Sequence, residues 1–127
     1  MRVYLSHPIR GIKPDPTPGY IAENLEKAIH FANRIRNETG VKVYCPAEHE
    51  EFIQLALDRG FMSVGQVLGI DKVILGRREA AIFYNFEGTF GQGMKEELAY
   101  ANEQNLPIMI VTDKTDMRNI RDFLGSF

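Results

Sequence analysis

The chain has 127 residues, the size of one ordinary domain, with 44% hydrophobic and 25% charged side chains, the balance of a globular protein that buries a real core. Its formal net charge of −2 supplies no bulk attraction to a nucleic-acid backbone or an anionic membrane, so the expected partner is a small ligand or another protein. The single cysteine, Cys45, excludes an internal disulfide and suits a reducing cytoplasm, and no Cys/His cluster has the spacing of a structural zinc site.

In chain order, "MRVYLSHPIRG" has too short an apolar run for a secretory signal, and no stretch approaches the ~18 apolar residues of a membrane span. "RVYLS" (Arg2 to Ser6) is short, β-branched and aromatic, as a buried strand is. His7 to Gly19 holds four prolines and two glycines in thirteen residues, which is a loop and a candidate lid. From Tyr20 to Asn37, Ile21, Leu25, Ala28, Ala32 and Ile35 form a helical stripe that Gly40 stops. "VKVYCP" is a second strand ended by Pro46. Glu51 to about Gly76 reads as two helices parted near Gly60 to Gly65, with Ile70, Val73, Ile74 and Leu75 as the buried side of the second.

"AAIFYN" (Ala80 to Asn85) is a near-continuous apolar run, as burial on both faces requires. A glycine loop, a helix from about Gly93 to Gln104, the strand "LPIMIVT" and the helix "DMRNIRDFLG" complete the chain. Strands alternating with helices predict a three-layer α/β domain, Rossmann-like or flavodoxin-like, with a parallel sheet of about four to five strands. In such sheets ligands lie beyond the carboxyl ends of the strands, where His7 to Gly19, Phe86 to Gly93 and Thr112 to Met117 emerge.

Several residues in these segments can carry chemistry. Gly88, Gly91 and Gly93 let the backbone approach a ligand, and the helix that follows points free N–H groups and a positive dipole end at it; read by themselves they are also a tight turn. On that helix Met94, Leu98 and Ala101 are the buried stripe, so Glu97 borders the core while Glu96 lies further round with Tyr100 and Glu103. A first-turn glutamate also suits the helix dipole alone. Tyr4, a strand aromatic, has a hydroxyl within reach of a carboxylate at the sheet's carboxyl edge. Arg10-Gly11 combines a guanidinium able to grip an anion with an open backbone. Asp71 opens the apolar run "IDKVIL", where by itself it reads as an N-cap or a surface residue. His7 is a strand-end cap, or else a base or a phosphate contact; His30 and His49 read as solvated residues, although His49 follows the second strand and is within reach of the site rim.

Taken together, "VYLSHPIRG", Asp71 eight positions before Glu79, and "GQGMKEELAYA" resemble the nucleoside 2-deoxyribosyltransferase superfamily, closest to its 2'-deoxynucleoside 5'-phosphate N-hydrolase branch. The resemblance runs in order from Met1 to about Thr112 and implies a single domain of that kind over residues 1–127. It implies Glu97 as nucleophile, Asp71 as the acid that assists departure of the base and Tyr4 as the hydroxyl that orients Glu97. His7, Ile9, Arg10, Gly11, Gly91 and Gly93 are then the residues around the substrate and its 5'-phosphate. No metal or cofactor is called for, and a homodimer is implied. The chain departs from the pattern at His7 and Pro8, at Gly91 where Ser or Asp is frequent, at Glu79 where Asp is, and in the bulky "MKE" before Glu97. The expected activity is hydrolysis of the base–sugar bond of a (deoxy)nucleoside 5'-monophosphate. Its rivals are deoxyribosyl transfer, NAD hydrolysis and nucleotide binding without turnover.

Overall fold

A computed structural model describes residues 1–127. Four strands, β1 (Arg2–Ser6), β2 (Lys42–Tyr44), β3 (Ala80–Tyr84) and β4 (Ile108–Val111), form one sheet in the order β2-β1-β3-β4. All three pairings are parallel, with Val3 opposite Val43 and Ala80, and Ala81 opposite Ile108. Five α-helices connect or follow them: α1 (Pro18–Thr39), α2 (Glu50–Asp58), α3 (Val64–Gly76), α4 (Gln92–Glu103) and α5 (Met117–Leu124). This strand order is flavodoxin-like, and its reversal falls between β1 and β3. No helix is long and apolar enough to cross a membrane.

The pleat sorts the core into two layers. Val3 and Leu5 of β1, Ala80, Ile82 and Tyr84 of β3, and Val111 of β4 face α1 and α5. The alternate positions Tyr4, Ala81 and Phe83 face Leu75 of α3 and Met94 and Ala101 of α4. A period of two along each strand produces this split without further instruction. β3 is buried along its whole length, as a central parallel strand must be.

Local signals set the helix ends. Thr17 caps α1 by accepting the Tyr20 N–H at 3.2 Å, Pro18 occupies the first turn, and Gly40 closes the helix in the left-handed region at φ 73°. The helix therefore starts two residues before the expected Tyr20, because proline needs no N–H partner there. α3 begins with a reciprocal capping box between Ser63 and Gln66.

One sequence expectation fails. Leu75 is buried and Ile74 partly so, but Ile70 and Val73 are 48% and 51% exposed. α3 meets the sheet layer only through its C-terminal turn, and its other side turns toward the space between α2 and α4.

Candidate functional site

The cavity beyond the carboxyl ends of β1 and β3 has a volume of about 340 Å³ and gathers His7, Ile9, Arg10, Gly11, Asp71, Gly91, Gly93 and Glu97 on its lining. These come from three parts of the chain, the loop after β1, the α2–α3 pair, and the glycine loop with the start of α4.

Glu97 sits at the floor. Met94, Glu97 and Ala101 are the buried positions of α4, spaced to project onto the sheet. Tyr4 and Ser6 are alternate residues of β1 on the facing side. The Tyr4 hydroxyl donates to Glu97 Oε2, and Ser6 Oγ donates to Oε1 at 3.0 Å, across 91 residues of sequence. Tyr4 is fully buried and stacks on Tyr44 with ring centroids 5.5 Å apart, and Tyr44 stacks on His49 in turn. That stack places His49 behind Tyr44 rather than on the lining of the main cavity. Ser6 was not singled out in the sequence, although the period of two from Tyr4 points to it.

Burial dominates the electrostatics. Desolvation pushes the Glu97 carboxyl up to about 7, against the two hydrogen bonds that favour its anion, with the Asp71 charge adding to the rise. Asp71 is pushed up to about 6, by burial first and by Glu50 second. Tyr4 is raised well above the usual phenol range by burial and by the Glu97 and Asp71 charges, so it stays a donor.

The loop after β1 is anchored at several points. The Ala47 N–H donates to His7 Nε2 at 3.2 Å, which leaves the ring proton on Nδ1 to donate to the Pro8 carbonyl at 3.0 Å. Burial holds His7 neutral, its imidazolium pushed down to about 4. His7 lines the cavity, yet both ring nitrogens are spent on the main chain, so its place here is that of a strut. Buried Asn24 of α1 donates to the Ile9 carbonyl at 2.9 Å. Gly11 has φ +66°, and a Cβ there would meet the Tyr20 hydroxyl at 2.0 Å and the Glu87 carboxylate at 2.5 Å. These ties describe a fixed wall, in place of the lid that the prolines suggested.

The two loops touch glycine to glycine. A Cβ on Gly91 would lie 2.8 Å from the Gly11 carbonyl oxygen, although its own φ of −73° suits any residue. The missing side chain at 91 thus follows from close approach and not from backbone conformation. Gly93 has open space at its Cβ. No side chain caps α4, so its first-turn N–H groups face the cavity edge beside Gly91 and Gly93, a place suited to negative charge. Phe90 stacks on Phe83 at 5.8 Å and pins this loop to β3.

Arg10 is exposed and donates through Nη2 to Gln54 Oε1 at 3.3 Å. Its guanidinium therefore engages α2 in the free protein, not the glycine loop. Glu50, also on the lining, feels the Arg10 charge. The Thr112 to Met117 segment does not reach the cavity: the Tyr84 hydroxyl, on the α1/α5 side of the sheet, donates to Asp113 and holds this loop there. Its place is taken by α2 and α3; of their lining residues the sequence pointed to Asp71 alone, and Glu50, Ile53 and Leu57 at helical spacing were the signal for α2.

Fold and site together define a flavodoxin-like α/β protein whose cavity at the sheet's switch point is lined by the carboxyls of Glu50, Asp71, Glu96 and Glu97. Neither a protein-family model nor a curated protein matches the chain. Among solved structures the fold is similar to that of the CMP N-glycosidase BcmB of Clostridium botulinum, with a TM-score of 0.54 at 17% identity, over 98% of this chain and 81% of that one.

Proposed function

We propose that this protein cleaves the N-glycosidic bond of a nucleoside 5'-monophosphate and releases the base and a sugar 5-phosphate. The observation that carries this reading is Glu97, 7% exposed at the cavity floor, gripped by two hydroxyl donors and sharing the cavity with Asp71. The fold of a CMP N-glycosidase at low identity is consistent with it.

Glu97 attacks C1' as the C1'–N bond breaks, and the electron pair leaves with the base, which takes a proton from Asp71. Water then attacks C1' and gives a proton to the Asp71 carboxylate as the C1'–O bond to Glu97 breaks, which frees the sugar 5-phosphate and returns Glu97 as carboxylate and Asp71 as acid. Tyr4 and Ser6 hold the nucleophile in one orientation throughout. The open N-terminus of α4 and the Arg10-Gly11 turn receive the 5'-phosphate, for which Arg10 exchanges Gln54 for a phosphate oxygen.

In the free protein burial raises both carboxyls, Glu97 to about 7 and Asp71 to about 6, so the pair takes up protons near neutral pH. Substrate separates their roles. Positive charge developing at C1' favours the Glu97 anion, while a filled cavity desolvates Asp71 further and the phosphate adds negative charge.

The resemblance in sequence also implies a homodimer. The side chains available to such an interface are the exposed apolar ones of the α2–α3 pair and its linker, Phe52, Leu55, Phe61, Ile70 and Val73 among them. A monomer by light scattering at micromolar concentration removes that part of the reading.

Incubation with ribo- and deoxynucleoside monophosphates, free nucleosides and NAD, with released base followed by chromatography, tests the activity. Base release without an acceptor base, from monophosphates in preference to nucleosides, is the expected result. Dependence on an acceptor base selects the transferase reading instead. Stabilisation by ligand with no base released over hours selects binding without turnover.

A further inference from the structure

The wall that α2 and α3 present to the cavity is aliphatic except at two places. Glu50, Ile53 and Leu57 share one side of α2, and Val67, Leu68 and Asp71 share one side of α3. Glu50 and Asp71 are partly buried; burial raises both, with the Glu50 charge adding to the rise of Asp71 and Arg10 opposing that of Glu50, and no hydrogen bond from the chain reaches either carboxylate. Glu97 differs, since Tyr4 and Ser6 already occupy both of its oxygens. The wall therefore offers an apolar patch edged by acceptors that lack donors. A ligand group that suits it has a flat apolar face and N–H donors on its rim.

We infer that Glu50 is a specificity-determining residue, accepting a hydrogen bond from the exocyclic amino group of the nucleobase, so that the site selects amino-bearing bases such as cytosine and adenine over uracil and hypoxanthine. The inference rests on the nucleotide reading of the same cavity. In uracil or hypoxanthine a carbonyl oxygen replaces the amino group, and two acceptors would then face each other with no proton between them, leaving buried polar groups unpaired. Arg10 stands close enough to Glu50 for its charge to oppose the effect of burial on that carboxyl, which keeps Glu50 an acceptor. Asp71, its neighbour on the wall, is left to deliver the proton.

The test compares the matched pairs CMP with UMP and AMP with IMP. Binding is measured by calorimetry in a Glu97→Gln background, so that nothing is consumed, and base release is followed separately in the wild type. With Glu50 present, CMP and AMP should bind about 10- to 100-fold tighter than UMP and IMP, the scale of one charge-assisted hydrogen bond. Adding Glu50→Gln or Glu50→Ala should bring each ratio to within about threefold, with thermal melts confirming that both variants fold. Equal binding within each pair overturns the inference. So does an equal weakening of all four nucleotides in the Glu50 variants, which is what a residue that merely holds Arg10 would produce. Discrimination in binding that Glu50 variants lose, without base release by the wild type, supports the role of Glu50 and sinks the glycosidase reading. Base release at equal efficiency from all four sinks the role of Glu50 alone. Failure of all four to bind removes both.

Discussion

The two faces of the sheet are built to different ends. The face under α1 and α5 belongs to a core of 16 buried residues, apolar apart from the Tyr84 hydroxyl. The face under α3 and α4 has a core of 6 that includes Tyr4, and beside it Ser6 of β1 and Glu97 of α4 are buried. The first face can be filled for stability alone. On the second, a desolvated carboxyl is held near neutrality at the expense of folding free energy, which is where strain and function are expected to coincide.

The sharpest way to break this contrast is Glu97→Gln. It should abolish base release and at the same time raise stability at pH 8. The sign follows from the proton count: a carboxyl at about 7 in the folded state, against 4.5 ordinarily, binds more protons folded than unfolded. Its contribution therefore falls as pH rises through that window, by up to roughly 3 kcal/mol. The melting temperature of the variant should exceed that of the wild type at pH 8 and converge toward it near pH 5. A variant less stable at both pH values means that the two hydroxyl contacts outweigh desolvation.

Tyr4→Phe keeps the buried ring and removes one donor, so turnover should slow by roughly 10- to 1000-fold, the scale of a positioning contact, with little loss of fold. An unchanged rate would reduce Tyr4 to a core aromatic.

Arg10→Ala lies outside both cores. It should lower kcat/KM for a monophosphate by roughly 10- to 150-fold and leave the matching nucleoside nearly untouched. Equal slowing of both would place Arg10 away from the phosphate.

A smaller effect is expected from pH. If turnover needs Glu97 ionised and Asp71 protonated, kcat/KM should be bell-shaped with its maximum between about 6 and 7, where the two carboxyls titrate, and fall by up to about tenfold per unit on either side. Asp71→Asn should flatten the alkaline limb.

At the far end stands Ile120→Ala on the apolar face. Ile120 is fully buried, so its truncation should cost about 2–5 kcal/mol of stability, yet kcat of the protein that remains folded should not change. A loss of kcat there would mean that the two faces are coupled through the sheet.

The order of elements, the parallel α/β class and the inward phase of Glu97 were legible in the chain, because strand and helix periods report which side of an element is buried. The short run from Ala80 and the stripe before Ala101 both read correctly for that reason. Periodicity failed at Ile70 and Val73, where an apolar pattern marked a surface that the sheet does not cover.

What a period cannot report is which element lies opposite. Tyr4 and Ser6 meet Glu97 only because β1 pairs with β3 in parallel and α4 returns across that face. Likewise α2 and α3, rather than the loop after β4, close the cavity, since Tyr84 draws Asp113 to the other side of the sheet. Gly91 reads in the sequence as a residue that lets the backbone approach a ligand or make a tight turn, yet what it approaches is the Gly11 carbonyl 80 positions earlier in the chain. Sequence alone determined the faces, through local sterics and solvent. The tertiary structure decided the neighbours, through contacts between segments that only the folded sheet brings together.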